Sequence, residues 1–131
     1  MSKLLARAKA KRFSAENSYN NITVDDAYID ECCINLQQTI EFCLKYLVEM
    51  AGDVYPENHD IRTQINKLKK LGQYIPCEDE LRLFASLINS WEVETRYNDN
   101  FTALIEDIDE VRVVADKILE YCDKLVISEV I

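Results

Sequence analysis

The chain has 131 residues, 48% of them hydrophobic and 30% charged, which suffices for one domain (residues 1–131) with its own core. Only two glycines and two prolines occur, too few for the turns of a sheet-rich fold and far from collagen-like, linker-like or proline-rich disordered compositions. A net charge of −9 argues against non-specific DNA binding, and no apolar run approaches the ~18 residues of a membrane span.

The spacing of apolar residues predicts five helices. The first covers about Ser2 to Ser18, with Leu4, Leu5, Ala8 and Phe13 interleaved with basic residues. Its first twelve positions hold five basic residues and no acid, which reads as a solvated helix start; the continuous apolar core of a secretory signal is missing. An asparagine-containing break follows at Ser18–Ile22. In the second helix Thr23 is the expected N-cap, with Asp26 completing a capping-box-like pattern. Ile29, Cys33, Leu36, Ile40, Cys43, Leu44 and Leu47 then form its stripe, and Gly52 stands where a left-handed terminating residue is wanted. A loop carrying Pro56 leads to a third helix over about Asp60 to Leu71, closed by Gly72. Pro76 is expected to open the fourth, with Glu78, Asp79 and Glu80 in its first turn and Leu81, Phe84, Leu87, Ile88 and Trp91 as its stripe. The fifth runs from about Thr102, where Leu104, Ile108, Val111, Ala115, Ile118, Cys122 and Leu125 alternate steps of four and three, a seam suited to a helical bundle.

Chemistry-bearing motifs are sparse. Five cysteines, none in a CxxC pair, read as reduced, mostly buried thiols, with Cys77 the most accessible because it opens a helix after a loop. A single histidine, His59, leaves no ligand set for a zinc or di-iron site, and two glycines build neither a P-loop nor a dinucleotide fingerprint; no cofactor is expected. Four polar residues, Gln37, Gln38, Glu41 and Lys45, interrupt the second helix. Glu41 and Lys45 have the i,i+4 order of a surface ion pair, but the closely flanking Leu36, Ile40 and Leu44 also suit a polar stripe facing a partner or a cleft. His59 begins the third helix, where a cap and an anion site are both possible. Arg96 and Tyr97 end the fourth, either as a helix-terminal pair or as a phosphate clamp beside a stacking face.

The stretch Cys33–Leu47, with its Gln37-Gln38 and Glu41 in the middle of a helix, resembles the core helix of HEPN domains, the "higher eukaryotes and prokaryotes nucleotide-binding" family. Asn58-His59-Asp60-Ile61 resembles the family's Thr-His-Asp-Leu, and Thr95-Arg96-Tyr97 resembles its Thr/Ser-Arg-Tyr-Pro. The resemblance implies an all-α, five-helix up-and-down bundle that pairs as a homodimer in the cytoplasm. It implies a nucleotide ligand or a minimal nucleotidyltransferase partner, in toxin–antitoxin-like pairs. The family's ribonucleases carry Arg followed a few residues later by His; no histidine follows Arg96, and Asn98 stands where proline is usual. The similarity is therefore to the non-nuclease, nucleotide-binding or partner-binding branch, and binding rather than catalysis is the expectation. A divergent ribonuclease toxin and a purely structural dimeric scaffold are the alternatives. The expected site lies where the third and fourth helices approach the second: His59 and Arg96 on an anion, Tyr97 as a stacking face, and Glu41 orienting Arg96. Extra surface on the fifth-helix seam and the second-helix polar stripe is expected to form the dimer.

Overall fold

A computed structural model describes the backbone of residues 2–130 and the side chains of residues 2–126. Five helices follow one another: α1 Lys3–Tyr19, α2 Ala27–Met50, α3 Ile61–Lys70, α4 Glu78–Tyr97 and α5 Ile105–Val130. Among the described residues there is no strand, and no helix is long and apolar enough to cross a membrane.

α2 is the axis of the bundle, because each of the other four helices packs against it. Fifteen of its 24 residues are buried, well beyond the single apolar stripe. With neighbours on most sides, α2 keeps only a strip of partly exposed residues through Ile34, Gln38 and Phe42, so its other polar side chains must find partners inside. Thr39 Oγ1 donates to the carbonyl of Asn35 at 2.7 Å, and Gln37, Glu41 and Lys45 are likewise buried.

Polar contacts fix the directions of the helices. Lys9–Asp123, Arg12–Asp116 and Arg112–Glu16 ion pairs run in opposite order along α1 and α5, so these two are antiparallel. α3 runs antiparallel to α4, through Arg62 Nη1 donating to Ser86 and Arg82 Nη1 donating to Asn66. The long helices α1, α2, α4 and α5 thus alternate up and down. The 51–60 segment instead travels back along α2. His59 reaches Glu41 in mid-helix, and Lys67 then pairs with Asp53 just beyond the helix end. α3 consequently advances in the same direction as α2. Gly52, at φ 81°, makes the reversal possible, since non-glycine residues rarely adopt that conformation.

Three helix starts differ from expectation, among them that of α5, which was expected from about Thr102 but begins at Ile105, so Leu104 precedes it. Thr23 lies in a turn, where the amide of Val24 bonds to the carbonyl of Asn21; α2 begins at Ala27, whose amide donates to Asp25 Oδ1. Pro76 also lies outside its helix: Cys77 takes a left-handed conformation (φ 55°), and α4 starts at Glu78. The α5 seam is spent inside the bundle, with Ile108, Val111, Ala115, Ile118 and Cys122 all fully buried. The seam from Ile108 to Cys122 is thus occupied by packing within the bundle, whereas Leu104, expected in it, is 63% exposed.

Candidate functional site

α2, the loop before α3, and α4 enclose a cavity of about 230 Å³ lined by Ile34, Gln37, Gln38, Glu41, Phe42, Lys45, His59, Glu92 and Arg96. Its floor is the polar stripe of α2. Residues 37, 38, 41 and 45 lie within about two helical turns on one face, since side chains three or four apart are neighbours. Glu41 is the hub. Its Oε1 accepts from Lys45 Nζ at 2.9 Å and from His59 Nδ1 at 2.6 Å. The Glu41 side chain is 4% exposed and that of His59 62%, so a buried carboxylate holds one edge of a ring whose other edge meets solvent. Lys45 Nζ also sits 5.2 Å from the centre of the Tyr55 ring, which shares in neutralising its buried charge.

The sequence places His59 here by bracing the loop that carries it. Asp60 caps α3, accepting from the amide of Arg62 at 3.0 Å and from Asn89 Nδ2 on α4 at 2.9 Å. Asn89 Oδ1 in return accepts the amide of Ile61 at 3.1 Å. Gln64 Nε2 donates to the carbonyl of Pro56 at 2.8 Å, tying the middle of the loop down. Burial alone would raise the Asp60 pKa; the hydrogen bonds from Asn89, Arg62 and Thr63 outweigh it and hold the carboxyl below its ordinary value.

α4 supplies the third wall. Gln37 Nε2 donates to Glu92 Oε2 at 3.3 Å, linking floor to wall. Arg96 Nη1 lies 4.0 Å from Glu92 Oε1, a loose pair, and the Arg96 side chain is 51% exposed at the rim. A guanidinium held this loosely keeps most of its donor fork free.

Three of the four sequence-expected site residues, Glu41, His59 and Arg96, therefore line one cavity. Their pairing is not the expected one. Glu41 holds Lys45 and His59, whereas the carboxylate beside Arg96 is Glu92, one turn back on its own helix. Tyr97 is outside the lining; it ends α4 at 78% exposure. Ile34, Phe42 and Glu92 were not singled out from the sequence. The i,i+4 relation of Glu92 to Arg96 was the available signal for one of them, and nothing local marked the other two. Among the described residues no group of His, Cys, Asp and Glu could hold a metal ion. What the arrangement can do is bind. It joins a rim cation and a braced imidazole to a floor of hydrogen-bonding oxygens, with the apolar walls of Ile34 and Phe42 between.

The HEPN domain family model matches residues 1–125, a span that contains all three sequence landmarks and every residue of the cavity, and the chain belongs to the HEPN domain family. No curated protein and no solved structure matches it.

Proposed function

We propose that this HEPN domain is a nucleotide-binding module and that the cavity between α2, α3 and α4 takes the ligand. The observation that carries the proposal is the convergence of Arg96, His59 and the Lys45–Glu41 pair on one cavity from three separate segments. At about 230 Å³ the cavity is below the roughly 300 Å³ at which drug-sized sites begin, so it suits one moiety of a nucleotide with the remainder at the rim. The ligand is a free nucleotide or a nucleotidylated group supplied by a minimal nucleotidyltransferase partner, and the protein acts as a cytoplasmic homodimer. Calorimetric titration with nucleoside monophosphates is the test. Saturable heat at one site per chain supports the proposal, and an absence of heat with all of them leaves a structural scaffold.

One observation favours a second reading, a divergent ribonuclease. Glu41 holds His59 at Nδ1, so the other ring nitrogen is free on the exposed side, with Arg96 lining the same cavity. An imidazole oriented by a carboxylate beside a phosphate-binding cation can transfer protons during phosphodiester cleavage. Incubation of labelled single-stranded RNA with the protein and with His59→Ala decides it: this reading requires cleavage by the former and none by the latter.

A further inference from the structure

The hydrogen bond between Glu41 and His59 fixes which ring nitrogen carries the proton. Glu41 Oε1 already accepts from Lys45 Nζ, and a carboxylate oxygen has only lone pairs to offer, so His59 Nδ1, 2.6 Å away, is the donor. A neutral imidazole has a single N–H. With that N–H spent on Glu41, Nε2 turns a bare lone pair outward on the exposed side of the ring. A phosphate oxygen arriving there sets acceptor against acceptor. Only the imidazolium donates both ways at once, to Glu41 through Nδ1 and to the phosphate through Nε2.

The charges around the ring come from two helices and its own loop. α2 contributes Glu41 and Lys45, and α4 contributes Glu92 and Arg96, so the cavity lining holds two cations against two carboxylates. In the loop Glu57 is exposed, and Asp60 is turned to Asn89 and to the amide of Arg62. Because the lining charges offset one another, an incoming phosphate is the added charge that draws a proton onto the ring. Arg96, loosely paired with Glu92 on the same cavity, brings the second set of donors.

Resting on the nucleotide-binding proposal above, we infer that the ligand's phosphate docks between His59 Nε2 and Arg96 and that its binding takes up one proton, onto Nε2. The complex then holds this proton more tightly than the free protein does. By linkage, the added affinity is complete where the free ring is already protonated, and it is lost as pH rises through the range in which the complex gives the proton up. The cavity thus holds nucleotide more firmly in mild acid and loosens it in mild base.

The experiment is calorimetric titration of the full chain with AMP at pH 6 and pH 9, beside His59→Gln. His59 is exposed and Glu41 keeps Lys45, so the variant is expected to fold. AMP changes its own charge near pH 6, and the ratio of the two proteins' affinities cancels that effect. The advantage of the unmodified protein over His59→Gln is expected to shrink about tenfold or more between pH 6 and pH 9. At pH 7.5, heats measured in buffers of different ionisation enthalpy should show proton uptake that His59→Gln reduces. A ratio that does not change with pH, or equal proton uptake by both proteins, overturns the inference while AMP binding stands. If AMP binds neither protein, this inference and the proposal beneath it both fail.

Discussion

Glu41 Oε1 carries two partners from inside the bundle, and the energetics of the cavity turn on that oxygen. The Lys45 side chain is nearly as buried as that of Glu41, so removing the carboxylate leaves a buried ammonium beside the Tyr55 ring. Breaking one side of a buried ion pair typically costs about 3–5 kcal/mol, whereas replacing both sides by apolar groups is often close to neutral. Glu41→Gln should therefore lower stability by about that amount in urea unfolding, and adding Lys45→Met should recover most of it. If the double variant is no more stable than Glu41→Gln, the Lys45 charge is not what the carboxylate serves. Arg96 behaves differently, because it is half exposed and loosely paired. Loss of a charge-assisted hydrogen bond of ~1.5–3 kcal/mol predicts that Arg96→Ala weakens nucleotide binding roughly 10- to 150-fold, with little change in stability. An unfolded Arg96→Ala protein would instead make Arg96 a structural partner of Glu92.

Among the elements, the junction of α1 and α5 is the most heavily charged. Arg112 Nη2 donates to both oxygens of Glu16, at 2.7 and 2.8 Å, and Arg12 Nη2 donates to Glu16 Oε1 at 3.0 Å. The hydrogen bond from Arg112, followed by that from Arg12, outweighs burial and holds the Glu16 carboxyl below its ordinary value. A carboxyl whose pKa is lower folded than unfolded contributes stability above its unfolded value, and that contribution disappears as pH falls through the folded one. The urea midpoint should thus drop on acidification, and Glu16→Gln should flatten part of that drop. Because Glu16 is partly exposed, the effect is screened and modest. An unchanged acid limb in Glu16→Gln would show that the cluster does not couple α1 to α5.

Helix number, order and most apolar faces were legible, because period-3.6 patterning survives into burial. All seven stripe residues of α2 and the α5 seam from Ile108 to Cys122 are inside. The second buried layer of α2 was not legible. Cys32, Tyr46 and Val48 add apolar burial off the stripe, and Gln37, Glu41 and Lys45 fit a surface face and a cleft-facing stripe equally in any local window. Their burial depends on partners that arrive from residues 59 and 92. The start of α4 was hidden for another reason: a left-handed Cys77 after Pro76 is a conformation that local preference disfavours, so it must be imposed by the packing around it. Arg96 and His59 belong to different elements, and only the backtracking 51–60 segment brings them to one cavity.

For the whole molecule, assembly and thiol chemistry follow from what remains exposed. A groove between α4 and α5 is lined by Leu83, Phe84, Val113 and Val114, with Glu80, Glu110 and Lys117 also on it. Leu83 is 75% exposed there. In the homodimer proposed above, a patch that carries both charge signs is suited to face its own copy across a two-fold axis. Light scattering should give twice the 15.2 kDa chain mass, and Leu83→Glu should halve it. A 15.2 kDa particle at micromolar concentration would contradict the dimer. The five cysteines are free thiols, four of them buried. Burial pushes Cys32 up to about 11 and raises Cys33 as well, so a thiolate reagent near neutral pH should label Cys77 first in the native protein and all five after unfolding.

The proposed site holds a nucleotide in the cavity beside His59. The chain has one histidine, so its imidazole protons give one unambiguous set of NMR signals. Titration with AMP should move the His59 resonance saturably, and in Arg96→Ala the same displacement should require roughly 10- to 150-fold more ligand. A His59 resonance that stays fixed while calorimetry reports AMP binding would place the ligand elsewhere and contradict the proposed site.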